Sequence, residues 1–174
     1  MIFTRRKTRK RSNIRKMERV LASLDYDFSD FSLMAFLEWL GQQHNTQLWA
    51  VGKKMPQNIF GAWIATSDAH YFFYDNQLSG LHQTHVILHE LSHWLCGHPT
   101  IFVATEQILA QKPHLIAIDK TLGYDGHYSK KQEQEAETLA LLIGEKVARL
   151  KQKQSNGNKR DQAVQRFCQS LNLI

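Results

Sequence analysis

Apolar and polar positions recur along this chain with two different periods, and each marks a different kind of element. From Ser79 to Gly97 the period is helical: Leu88, Leu91 and Leu95 fall on one stripe, and His82, His85, His89, His93 and Cys96 on another. One stripe would seat the helix and the other would line a cavity. A long helix is predicted over SKKQEQEAETLALLIGEKVARLKQK, where Ser129 and Gln132 have capping-box spacing and Ala136, Leu139, Ala140, Ile143 and Val147 share a face. SDFSLMAFLEWLGQQ, with Phe31, Met34, Ala35, Leu37, Trp39 and Leu40, predicts a largely buried helix capped by Ser29 or Asp30. A shorter helix is expected to open near Asn13 and carry Met17, Val20, Leu21 and Leu24.

After Asn45 the pattern shortens. TQLWAVG, NIFGAWIATS and HYFFYDN are aromatic and β-branched runs divided by turn-forming residues, and they predict three strands of a small, mostly antiparallel sheet. TIFVATEQILAQ fits helix or strand, PHLIAIDKTLGYDGHY reads as a loop-rich crossing, and DQAVQRFCQSL as a short terminal helix after the break at QSNGNK. Strands grouped together and flanked by helices place the chain in the α+β class.

Length and charge refine this picture. With 174 residues and 43% apolar content, one core is expected. The net charge of +6 suggests nucleic acid until it is located: residues 1–20 hold nine Lys/Arg and one Glu, so the remainder is slightly acidic. The basicity belongs to residues 1–12, expected as a disordered tail before a single domain over 13–174. The run from Arg5 to Lys16 can neutralise phosphates and so bind nucleic acid, but it lacks interleaved aromatics for base stacking. Two cysteines, Cys96 and Cys168, suggest no disulfide framework, and no apolar run approaches a membrane span. A cytoplasmic protein without membrane association is the expectation.

The chemistry-bearing stretch is HELSHWLCGH. Residues four apart on a helix lie almost above one another, so His89 and His93 can present two imidazoles to one divalent cation such as Zn²⁺. Glu90 would flank the ion without ligating it, as a general base. His98 misses the extended three-histidine pattern by one residue, because Gly97 and Pro99 stand at the wrong offsets; it is expected to close the helix or support a ligand. A carboxylate from another helix should complete the set. QEQEAETLALL offers Glu133, Glu135 and Glu137; Glu137 projects furthest from the Leu139 stripe, and periodicity leaves Glu133 and Glu135 open.

HVILHELSHWLCGH followed by EQEAETLALLIG resembles the ImmA/IrrE family of zinc metallopeptidases, over roughly residues 60 to 145. Position by position, the resemblance implies that Glu135 is the third Zn²⁺ ligand. It further implies a zincin-like fold and an endopeptidase that cuts an intracellular regulatory protein such as a helix-turn-helix repressor. This chain departs from the family pattern in having Glu137 where Asn is frequent, Leu139 for Phe, and Gly144 near a usual Pro. The competing expectation is a metal-binding regulatory module with little proteolysis, acting through partner or nucleic-acid binding.

For an endopeptidase, an extended substrate would pair with a free strand edge, expected at HYFFYDN. Tyr124, His127 and Tyr128 are candidate donors to an oxyanion. His85 is a candidate partner of the ligands, and Cys96 a packing residue.

Overall fold

A computed structural model describes residues 2–102 and 128–154. Among them the chain forms α1 (Ile2–Ser23), a single 3₁₀ turn (Phe28–Asp30), α2 (Leu33–His44), β1 (Gln47–Lys53), β2 (Gly61–Ala65), β3 (Ala69–Asp75), α3 (Gly80–Leu95), the two-residue β4 (Ile101–Phe102) and α4 (Lys130–Gln154). Four helices around one small sheet make the fold α+β. The terminal helix expected over 161–171, most of the crossing before Tyr128 and TIFVATEQILAQ beyond Phe102 lie outside the described residues.

The sheet order is β1-β3-β2-β4. Only β2 with β3 is antiparallel; β1 with β3 and β2 with β4 are parallel, so the sheet is mixed and the expectation of a mostly antiparallel one is corrected. The reason lies in two connections of different length. A tight turn closed by Thr66 N–H donating to the Ala69 carbonyl (2.8 Å) makes β2 and β3 a hairpin. The longer link from β1, with Pro56 and the left-handed Asn58 (φ 65°), lets β2 pass over the neighbouring position and leaves it for β3. HYFFYDN thus becomes an internal strand, covered on both faces, with Phe72 in the helix-side core and Tyr71 and Phe73 in the cluster on the other side.

The helix-side core joins Phe72 and Trp63 of the sheet to Leu88 and Leu91 of α3, Leu139, Ala140 and Ile143 of α4, Leu37 and Leu40 of α2, and Met17 of α1. The predicted face of α4 is buried in full. Its N-terminus is the expected capping box: Ser129 N–H donates to Gln132 Oε1 (2.8 Å), and Gln132 N–H to Ser129 Oγ (3.3 Å). In α2 the cap is Ser32 rather than Ser29 or Asp30, because Phe28–Asp30 is a separate turn capped by Asp27; Met34 points outward. The helix expected near Asn13 extends back to Ile2, and Asn13 itself docks it on α4 by donating to the Gln134 carbonyl (3.1 Å) and Thr138 Oγ1 (3.2 Å). No helix among the described residues is long and apolar enough to cross a membrane.

Candidate metal centre

α3 and α4 pack along their lengths, and the histidine stripe of one meets a glutamate stripe of the other. The two imidazole Nε2 atoms of His89 and His93 lie 3.1 Å apart. Glu133 Oε2 is 3.3 Å from His89 Nε2, and its Oε1 is 3.9 Å from His93 Nε2. One ligand atom from each of His89, His93 and Glu133 lies within 4.8 Å of the others, so the three can hold a metal ion. Bonds of about 2.0–2.1 Å in a tetrahedral site put neighbouring ligand atoms roughly 3.3 Å apart, close to the separations found here. The residues present fit such an ion.

Glu133 stands where the resemblance implied Glu135. The carboxylate of Glu135 is buried elsewhere, with Oε2 against His98 Nε2 (3.3 Å) and Lys16 Nζ (2.8 Å). Helical geometry explains the exchange: Glu133 and Glu137 are four residues apart and share the side facing α3, whereas Glu135 is turned about 200° from Glu133. Glu137 is likewise drawn inward. Its Oε2 lies 3.2 Å from His89 Nδ1 and 3.3 Å from His85 Nε2, and these two hydrogen bonds hold its carboxyl down at about 2. His85 therefore touches the carboxylate that orients His89.

The electrostatics separate the two imidazoles. Burial, with the neighbouring His89 and His98, lowers His93 to about 3, so its ring is neutral and has a lone pair to offer. Burial also works against charge on His89, but hydrogen bonds to Glu133 and Glu137 outweigh it and carry the pKa to about 10. His89 thus carries a proton on each ring nitrogen, one toward Glu137 and one toward Glu133, the latter at the place where a divalent cation would sit. Binding a cation there displaces that proton.

Glu90 points the other way, toward β2. Burial raises its pKa to about 7, His89 pulling down and Glu133 up, with a backbone hydrogen bond from Trp63 also favouring the ionised form. Its close approach to the sheet depends on Gly61. Tyr128 closes the far side, its ring stacked on His93 with centroids 3.6 Å apart; burial and the charges of Glu90 and Glu133 raise its hydroxyl pKa and keep it a donor. Tyr124 and His127 lie outside the described residues.

His98 reaches the centre by a backbone device. Gly97 adopts a left-handed φ of 66°, its N–H donates to the Trp94 carbonyl (2.9 Å), and His98 N–H donates to the His93 carbonyl (3.0 Å). This Schellman closure folds His98 back under His93, with their Nδ1 atoms 3.0 Å apart. Cys96 sits as a packing residue with its Sγ 3.7 Å from Met17 Sδ, and burial pushes its thiol up to about 11. No family model, no curated protein and no solved structure matches this chain.

Proposed function

We propose that this protein is a zinc-dependent endopeptidase in which His89, His93 and Glu133 hold the ion and Glu90 is the general base. The zincin-like reading of α3 against the sheet belongs to the same proposal. Glu90 carries it: a carboxylate beside the metal group that is held on the Trp63 backbone and does not ligate, with a pKa near 7, suits proton transfer at neutral pH. Bound zinc would supply Lewis acidity and bring the pKa of a water toward neutrality. Glu90 would take a proton from the attacking water and return it to the leaving amine, its carboxylate steadied by the Trp63 backbone N–H.

The substrate seat follows from the sheet. β3 is paired on both sides, so the edge expected at HYFFYDN is not free. The Phe60 carbonyl and the Thr66 N–H both turn toward β3, so Gly61 and Trp63 between them turn outward; the Trp63 N–H is held by Glu90 and its carbonyl accepts from Thr100 Oγ1 (2.7 Å), which leaves Gly61. Among the described residues β4 pairs only with Ile64 and Ala65, which leaves the Gly61 end of β2 open beside Glu90. An extended peptide added there would present its carbonyl between Glu90 and the metal group, with Tyr128 as donor to the developing oxyanion. On this reading the substrate is one regulatory protein, for which the family resemblance points to a helix-turn-helix repressor.

One observation favours a second reading, a regulatory module that binds partners or nucleic acid: the basic run from Arg5 to Lys16 lies on the continuous helix α1. Such binding would be strongly salt-dependent. Both readings are tested by incubating the zinc-supplied protein with cell extract and labelling new peptide N-termini. The endopeptidase produces termini that vanish with Glu90→Gln while metal content is unchanged. Termini that persist with Glu90→Gln contradict it, and a metal-loaded protein that produces none supports the second reading.

A further inference from the structure

Lys16, Glu135 and His98 have no role in the proposed chemistry, yet they form a continuous chain that runs inward from the half-exposed Lys16 and ends on His93. His98 is 8% exposed and Glu135 is 3% exposed. The distances are 2.8 Å from Lys16 Nζ to Glu135 Oε2, 3.3 Å from that same oxygen to His98 Nε2, and 3.0 Å from His98 Nδ1 to His93 Nδ1. Lys131 Nζ adds a second positive charge 3.7 Å from Glu135 Oε1.

Proton positions along this chain are fixed by elimination. Two facing Nδ1 atoms need one donor and one acceptor. Were a neutral His98 the donor, the lone pair on its Nε2 would face the carboxylate oxygen of Glu135, acceptor against acceptor; were His98 doubly protonated, His93 would have to carry its own proton on Nε2, the nitrogen that its reading as a ligand gives to the metal. With the proton on Nε2, His98 donates to Glu135 and its Nδ1 accepts from His93. His93 then has its proton on Nδ1, and its Nε2 lone pair faces the metal group. Lys16 on the shared oxygen keeps Glu135 in the ionised form that enforces this order.

We infer that Lys16, Glu135 and His98 are positioning residues that set the tautomer and orientation of His93, so that docking of α1 supports the metal centre. The inference rests on the reading of His93 as a ligand. It also assigns work to Glu135: this carboxylate acts on the metal through two imidazoles instead of binding it. An outer partner of a ligating histidine typically contributes about 10- to 100-fold in metal affinity.

The test is zinc competition against a chromophoric chelator on the full chain, with long-range ¹H–¹⁵N spectra of the imidazoles. His98→Leu and Glu135→Gln should each weaken zinc binding, by about 10- to 100-fold for His98→Leu. His98→Asn, which returns an acceptor oxygen near the Nδ1 position, should recover most of the loss. Lys16→Met, a change at a half-exposed side chain that spares the core, should give a smaller loss that Lys16→Arg repairs. In the wild type the spectra should show His93 protonated on Nδ1 and His98 on Nε2. Unchanged zinc affinity in folded His98→Leu and Lys16→Met, with Glu133→Ala still losing the ion, would overturn the inference and leave the metal centre standing. A wild-type protein that takes up no zinc would overturn the metal reading instead, and a His98 protonated on Nδ1 in the same sample would overturn the proton order by itself.

Discussion

Gly61 of β2 faces Glu90 of α3 so closely that a β-carbon on it would lie 2.9 Å from the carboxylate Oε1 and 2.5 Å from Cγ1 of Val86. The glycine is needed for space, and the space is what lets the carboxylate reach the Trp63 backbone. Gly61→Ala should therefore push α3 from the sheet at Val86 and Glu90. Overpacking of this kind costs about 1–3 kcal/mol, readable as a lower urea midpoint. Zinc should be retained because the ligands face α4, while Glu90-dependent cleavage should fall; measuring zinc content and cleavage on one sample checks both.

Glu133 and Glu137 face the same histidines but have different tasks, so their removal should differ in size. Glu137→Ala releases His89 Nδ1 and should weaken zinc by about 10- to 100-fold, the range for an outer partner. Glu133→Ala removes the proposed third ligand and should exceed that range. Chelator competition gives both numbers, and equal losses would place the third ligand wrongly.

Leu139 joins α4 to the core behind the centre and is fully buried. Truncation to Ala should destabilise the fold by about 2–5 kcal/mol, since the cavity adds to the lost transfer energy. Chemical unfolding should show this with the zinc stoichiometry of the folded fraction unchanged.

His70 makes acid stability testable away from the centre. The indole N–H groups of Trp63 and Trp94 point at its Nδ1 (3.2 Å) and Nε2 (3.1 Å), so a neutral ring can accept from one of them and a protonated ring from neither. Burial, and secondarily His44, lower its pKa in the fold. The unfolded chain, with a histidine pKa of about 6.5, then binds more protons than the folded one in mildly acid solution. The His70 contribution is full above that value and is lost as pH falls through it toward the folded pKa. Urea midpoints across this range should fall more steeply for the wild type than for His70→Gln; parallel curves would remove His70 as the cause.

Much of this centre was legible in one helix and much less in two. The four-residue spacing of His89 and His93 fixes their convergence whatever surrounds them, and the capping box and apolar face of α4 are local features. Sheet order was not local: HYFFYDN becomes an internal strand because of how the link at Pro56 and the hairpin turn compete for position. An unbroken aromatic run, in place of alternation, was the available sign of a strand covered on both faces. The choice among the glutamates was also legible in part. Glu133 and Glu137 repeat at four residues, as His85, His89 and His93 do, and two such stripes can face each other; Glu135 is out of that phase. The role of His98 depends on the left-handed Gly97, which the sequence marks only as a glycine at a helix end.

The central claim is that His89, His93 and Glu133 converge on one divalent cation. Anomalous diffraction at the zinc edge from crystals grown with zinc tests it most directly. One peak is expected, bonded to Nε2 of both histidines and to a Glu133 carboxylate oxygen, with Glu135 remaining on His98 and Lys16. A peak ligated by Glu135 in place of Glu133, or none between the two imidazoles, would contradict the account.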